Sequence, residues 1–132
     1  TSLSFRESEI VILLTGARHK SHTEFDLHQG EALRAGVSMD IISSIPRDED
    51  FSLAKVKSNL VPILANDREK AIAFFAAELL ESCGVSDSTY NCTKESVGGE
   101  DSVLVEITSI VGYYTHAAYT LNVFKIPSVI NS

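Results

Sequence analysis

Apolar residues recur at helical spacing along most of the chain, and short polar segments separate the runs. The first run follows Ser4-Phe5-Arg6-Glu7, a capping-box sequence that is typical of a helix N-terminus. Its β-branched residues are also compatible with a short buried strand, but the cap and the charged first turn favour a helix. The apolar positions predict that this helix is buried on most sides; they are Ile10, Val11, Leu13, Leu14 and Ala17.

Two further capping boxes predict helix starts at Ser21-His22-Thr23-Glu24 and at Asn66-Asp67-Arg68-Glu69. The helix that follows the box at Ser21 is expected to stop at Ala35-Gly36, where glycine can adopt the left-handed conformation. The box at Asn66 leads into Ala71 to Leu80, which is apolar nearly all round and therefore predicts packing on more than one neighbour. Such a helix also fits burial between subunits.

The remaining pattern is helical as well. Weaker helices are predicted over 38–44 and 86–96, and a long helix over Asp101 to Val123. The segment 46–50 is predicted to be a polar loop, 53–64 stays open because Pro62 interrupts it, and Gly84 is expected to end a helix. Since no strand pair is evident, the prediction is one all-α domain spanning 1–132.

Composition narrows the class of protein. Of 132 residues, 44% are hydrophobic and 22% charged, as in an ordinary globular domain. Eleven basic against 18 acidic residues give a net charge of −7, which argues against nucleic-acid binding. No apolar stretch is long enough to span a membrane, and no signal peptide is visible. Because Cys83 and Cys92 form no disulfide framework, a cytoplasmic protein with reduced thiols is expected.

Candidate chemistry lies on the second predicted helix. Glu24 and His28 are four residues apart, so they share one helix face. Ser21 and His22 lie in the first turn, where free backbone N–H groups and the helix dipole favour an anion. Such an arrangement can hold a small carboxylate and move a proton. The alternative is a solvated Glu–His pair without a function.

Other polar residues are weaker candidates. Tyr113 and His116 on the last helix are candidate substrate-binding residues, although tyrosines in a helical core need no function. No metal or other cofactor is predicted. A metal site is the less favoured interpretation of one cluster of possible ligands: His19, His22, His28, Asp26 and Glu24.

Three blocks occur in a fixed order along the chain: Arg6 to Leu13, then Glu24-x-x-x-His28-x-x-x-Ala32-x-x-x-Gly36, then Val111-Gly112-Tyr113-Tyr114-Thr115 with Thr120-Leu121-Asn122 and Pro127. At these positions the chain resembles the carboxymuconolactone decarboxylase family, which belongs to the AhpD-like superfamily. The resemblance is sparse but covers nearly the whole chain. It implies an AhpD-like helical bundle and a homo-oligomer, a trimer or a hexamer. Many members begin with further helices, so it also implies a fragment, a processed chain or a short member.

The sequence departs from the peroxidase branch of that superfamily, which uses Cys-x-x-Cys-x-x-x-His with a glutamate on the preceding helix. Ser21 and Glu24 occupy the two cysteine positions, while His28 and Glu9 occupy those of the histidine and the glutamate. Without a thiolate there is no peroxidatic nucleophile, so thiol peroxidase activity is not expected.

The resemblance implies a cofactor-free, decarboxylase-like lyase that acts on a small cyclic or conjugated metabolite. His28 would transfer the proton and Glu9 would orient it, while Glu24 would be a second acid/base or a helix-cap acid. The charge of Glu24 counts against a carboxylate substrate and leaves room for dehydration, isomerisation or cyclisation of a neutral or phenolic metabolite. The competing hypothesis is a non-catalytic ligand-binding or assembly protein.

Overall fold

Helices form the whole fold over residues 2–128, the part of the chain that this computed structural model describes. No strand occurs in that part, which confirms the all-α prediction. One 3-10 turn, Asp48–Asp50, lies between the third and fourth helices. The helices are α1 (Phe5–Arg18), α2 (His22–Arg34), α3 (Met39–Ser44), α4 (Leu53–Leu60), α5 (Asp67–Ser82), α6 (Asp87–Ser96) and α7 (Asp101–Val123).

The central element is α1, which packs against α2, α5 and α7. Every residue from 10 to 17 is buried, because α1 is apolar on most of its surface. Its capping box is complete: the Glu7 backbone N–H donates to Ser4 Oγ at 3.0 Å, and the Ser4 N–H donates to Glu7 Oε1 at 2.9 Å. The helix interpretation of this run is therefore confirmed.

Five further helix predictions agree with the structure, among them the short helix predicted over 38–44, which is α3. Ser21 caps α2, and Gly36 beyond its C-terminus has a φ of +93°. Helix α5 packs against α1, α4, α6 and α7, so partners within the chain account for its apolar surface. Helices α6 and α7 lie where the pattern predicts them, with Gly98 and Gly99 between them at positive φ.

The structure settles or corrects three details. Helix α4 ends at Leu60, two residues before Pro62, and the predicted polar loop 46–50 contains the 3-10 turn. Helix α5 is ended by Cys83 rather than Gly84: the Cys83 N–H still bonds to the Leu79 carbonyl, and Cys83 itself adopts a φ of +62°. Cys83 therefore donates the last helical hydrogen bond and also takes the left-handed conformation, one residue earlier than expected.

None of the helices within residues 2–128 combines the length and the apolar character that crossing a bilayer requires.

Candidate active site

Glu9 on α1 and His28 on α2 meet where the two helices pack together. His28 Nδ1 lies 3.0 Å from Glu9 Oε2, and the side chains are 16% and 15% exposed, respectively. Because an ionised carboxylate can only accept, Nδ1 donates this hydrogen bond and Nε2 is the nitrogen able to exchange a proton with a ligand. The sequence-predicted pair is therefore brought together in a mostly buried position.

The contact with Glu9 favours the charged form of the His28 imidazole. The hydrogen bond from His28 to Glu9 raises the pKa of His28, and the nearby carboxylates of Glu9, Glu24 and Glu31 add to the effect against the opposing influence of burial. The imidazolium form is therefore favoured over a wider pH range than in a free histidine.

Glu24 lies one turn before His28 on α2 and is 3% exposed. Burial raises the pKa of Glu24 to about 7, although the nearby His28 opposes this shift. Its Oε2 has no hydrogen-bond partner among the described residues. Ser21 Oγ accepts a hydrogen bond from the Glu24 backbone N–H at 3.2 Å, so it is the Glu24 backbone that takes part in the cap of α2. A buried carboxyl group with a pKa of about 7 therefore lies close to the imidazole of His28.

Tyr114 on α7 completes the wall around His28. The two rings meet edge to face, with centroids 5.3 Å apart and planes at 87°. Burial and the neighbouring carboxylates of Glu9 and Glu24 raise the pKa of the Tyr114 phenol, which therefore stays protonated at neutral pH.

Two ion pairs fix the start of α1 and thereby the position of Glu9. Arg6 Nε lies 2.7 Å from Glu69 Oε2, and Arg68 Nε lies 2.8 Å from Glu7 Oε2. Arg6 also donates to the Gly36 carbonyl beyond the end of α2. These contacts join α1 to α5 and to the end of α2. They therefore hold α1 in place and limit the positions that Glu9 can take relative to His28.

A surface cavity of about 280 Å³ opens beside Glu9. Phe5, a residue that is 86% exposed, forms one wall, and Arg34 lies at the rim, paired with Glu31. The volume suits a small metabolite rather than a drug-sized molecule. The cavity therefore offers an approach to the carboxylate of the Glu9–His28 pair.

The other predicted site residues lie elsewhere. Ser21 is buried and acts as the α2 cap. The exposed His22 faces Arg47 and Asp48, with Arg47 Nη2 at 3.0 Å from His22 Nδ1. Tyr113 is 66% exposed and contacts the ring of Tyr114, whereas His116 lies exposed further along α7.

The metal hypothesis has no geometric support in the part of the chain described. No group of three His, Cys, Asp or Glu side chains within residues 2–128 is arranged to hold a metal ion. Cys83 and Cys92 are both free and exposed, on or beside helices other than those that carry Glu9 and His28.

Tyr113 was the tyrosine of the last helix proposed to bind substrate, but Tyr114 is the one in contact with His28. The helical periodicity could have indicated Tyr114, because it shares the inward face of α7 with Ile107, Val111 and Ala118. Phe5 and Glu31 had no comparable signal, since their roles depend on how α1 and α2 cross.

Comparisons with models of protein families, with curated proteins and with solved structures gave no match to this chain.

Proposed function

We propose that this protein is a cofactor-free acid–base enzyme, decarboxylase-like in its chemistry, that acts on a small cyclic or conjugated metabolite. The observation that supports this most strongly is the 3.0 Å contact between Glu9 and His28 in a mostly buried position next to Glu24. Buried titratable groups whose environments shift their pKa values are typical of sites that transfer protons.

His28 and Glu9 have distinct roles in the proposal. His28 Nε2 exchanges the proton with the substrate, because Nδ1 is engaged with Glu9. Glu9 fixes the orientation of the ring and stabilises its cationic form. An imidazolium is the acid that a decarboxylase needs, since the carbanion left by departing CO₂ must be protonated.

The surroundings of the site suit a small planar substrate. Phe5 offers an exposed ring for contact with a planar molecule, and Arg34, paired with Glu31, lies at the cavity rim. The repulsion expected from Glu24 is weaker than the sequence suggested, because a carboxyl group with a pKa of about 7 is largely neutral below that pH.

The test is turnover by a variant that keeps the fold. Wild type and His28→Gln would be incubated with a panel of small lactones, enones and β-keto acids, with product formation followed by proton NMR. Loss of a general acid lowers rates by about 10²–10⁴-fold. We expect His28→Gln to lose about 100-fold or more on any compound that the wild type converts, with an unchanged circular dichroism spectrum.

His116→Gln is the matched control, because this exposed histidine on α7 lies outside the Glu9–His28 pair. It should keep the wild-type rate. Equal rates in wild type and His28→Gln would contradict the proposal. Failure of the wild type to convert any compound in the panel, combined with saturable binding of one, would favour the non-catalytic ligand-binding protein.

We also propose that the chain assembles with copies of itself through the outer face of α7, defined as Val105, Tyr113, His116, Tyr119 and Val123, all of them exposed. No Asp, Glu, Lys or Arg occurs between positions 107 and 124. In a chain with a net charge of −7, an uncharged face is where two copies can meet without like-charge repulsion. Exposed aromatic and aliphatic residues on one face are typical of an interface.

A further inference from the structure

A second surface cavity, of about 570 Å³, lies between the end of α3 and α4 and shares no residue with the cavity beside Glu9. Its volume is within the range of sites that hold small molecules. Polar side chains predominate in its wall, which includes two cations and two anions: Arg47, Lys55, Asp48 and Asp50. Such a wall can recognise a charged ligand.

Arg47 is a half-buried cation without a carboxylate partner. It takes part in none of the ion pairs found within residues 2–128. Its Nε is buried and has no hydrogen-bond partner in the same range. Taking a charge and a polar N–H out of water is costly unless both are paired. The guanidinium therefore favours an anionic group of a ligand that enters the cavity.

Neighbouring side chains hold the guanidinium of Arg47 in place. Its Cζ lies 3.9 Å from the centre of the buried Phe25 ring, and its Nη2 donates to His22 Nδ1 at 3.0 Å. Because Nδ1 accepts, Nε2 of His22 carries the proton, and it faces the Asp48 carboxylate at 3.6 Å. A cation fixed in this way loses little freedom when a ligand binds.

The two carboxylates in the wall determine which class of anion fits. Asp48 and Asp50 line the same cavity as Arg47, and Lys55 Nζ lies 3.3 Å from Asp50 Oδ1. A dianion such as inorganic phosphate would be repelled by both aspartates. A ligand that carries one anionic and one cationic group, by contrast, can meet an opposite charge with each of them.

We propose that this cavity binds a free α-amino acid, whose carboxylate lies on the Arg47 guanidinium and whose ammonium group faces Asp48 and Asp50. Arg47 and Asp48 are adjacent in sequence and line one cavity, so the two charges of the ligand must also lie close together, as in an α-amino acid. A guanidinium and a carboxylate form strong, charge-assisted hydrogen bonds. The site is separate from the Glu9–His28 pair and does not depend on the proposed function.

The test measures the Kd of each standard α-amino acid by calorimetry at pH 7, and compares the tightest binder with its des-amino acid and with inorganic phosphate. We expect saturable binding of at least one amino acid. Arg47→Gln should raise its Kd about tenfold or more, because hydrogen bonds to a charged group are lost. Asp48→Asn should raise the Kd of the amino acid but not that of the des-amino acid. Asparagine tolerates the φ of +58° that Asp48 adopts, so this variant keeps the backbone.

Arg34→Gln is the matched control, because it removes the same charge from the rim of the other cavity. It should bind the amino acid with the wild-type Kd. Three results would overturn the inference: no saturable binding of any amino acid, an unchanged Kd in Arg47→Gln, or tighter binding of inorganic phosphate than of every amino acid.

A measurement on the wild type covers the case in which Arg47→Gln does not fold. The Nε–H of Arg47 should give a nitrogen–proton NMR signal that shifts when the amino acid is added, and a signal that stays in place also overturns the inference. His28→Gln should bind the amino acid as the wild type does, so failure of this site and failure of the proposed catalysis are observed separately.

Discussion

At the scale of single residues, the site is governed by burial, which the sequence could indicate only in part. The meeting of Glu9 and His28 was expected from the family resemblance, in which a glutamate on the first helix serves the histidine on the second. The burial of Glu24 was not, because a face of α2 becomes buried only when other helices cover it. Its pKa of about 7 therefore follows from tertiary packing.

A pH-dependent stability follows for Glu24. Its pKa rises from 4.5 to about 7 on folding, so between these values the folded protein binds a proton that the unfolded chain does not. The free energy of unfolding therefore falls as pH rises through this window, by about 3 kcal/mol. Glu24→Gln removes this loss, so we expect the variant to gain stability relative to wild type between pH 5 and pH 8.

Urea denaturation of wild type and Glu24→Gln at pH 5 and at pH 8 measures this difference in stability. The raised pKa of His28 gives a pH dependence of the same sign, which both proteins share except for the part of that shift that Glu24 itself causes. Glu95→Gln, at an exposed position of α6 away from this site, should follow the wild type. A Glu24→Gln effect that is the same at pH 5 and pH 8 would refute the expectation.

At the scale of helices, the capping boxes predicted where helices begin. They did not predict every hydrogen-bond partner of the glutamates in those boxes. Both bonds of the box form in α1. In α5, by contrast, the Glu69 carboxylate binds Arg6 and the Ala65 N–H. The motif is local and so predicts a helix start, whereas an arginine from a distant helix can recruit the same carboxylate.

The complete box of α1 gives a stability prediction. Ser4→Ala removes the acceptor for the Glu7 N–H, and such N-cap substitutions cost about 1 kcal/mol. The exposed Ser102 in the first turn of α7 is the matched control, and Ser102→Ala should change stability by less than about 0.5 kcal/mol. Urea denaturation of both variants checks the difference, and equal effects would show that the α1 cap contributes nothing.

At the scale of the whole molecule, the apolar pattern predicted the class of fold because periodicity and caps are local signals. It did not predict which apolar surfaces stay exposed. Ala71 to Leu80 is apolar nearly all round, and partners within the chain cover it. The outer face of α7 stays open instead, because α1, α2, α5 and α6 pack elsewhere on this helix.

Self-association through that face is tested by a charge placed at its centre. Tyr113→Glu removes an exposed ring and brings two carboxylates together if copies meet there, so we expect a shift to monomer. Light scattering after gel filtration measures the mass. Val61→Glu, which adds the same charge at an exposed apolar residue near the end of α4, should keep the wild-type mass. A monomeric wild type would refute the proposed assembly.

The central position of α1 has a consequence for synthesis in the cell. The ribosome completes α1 early, yet α7, one of the helices that bury it, is made last among the seven of residues 2–128. Until then a helix with little polar surface has too few partners, and exposed apolar segments of nascent chains invite aggregation. Chaperone contact at the ribosome should therefore concentrate on the segment from Ile10 to Ala17 and cease once α7 has emerged.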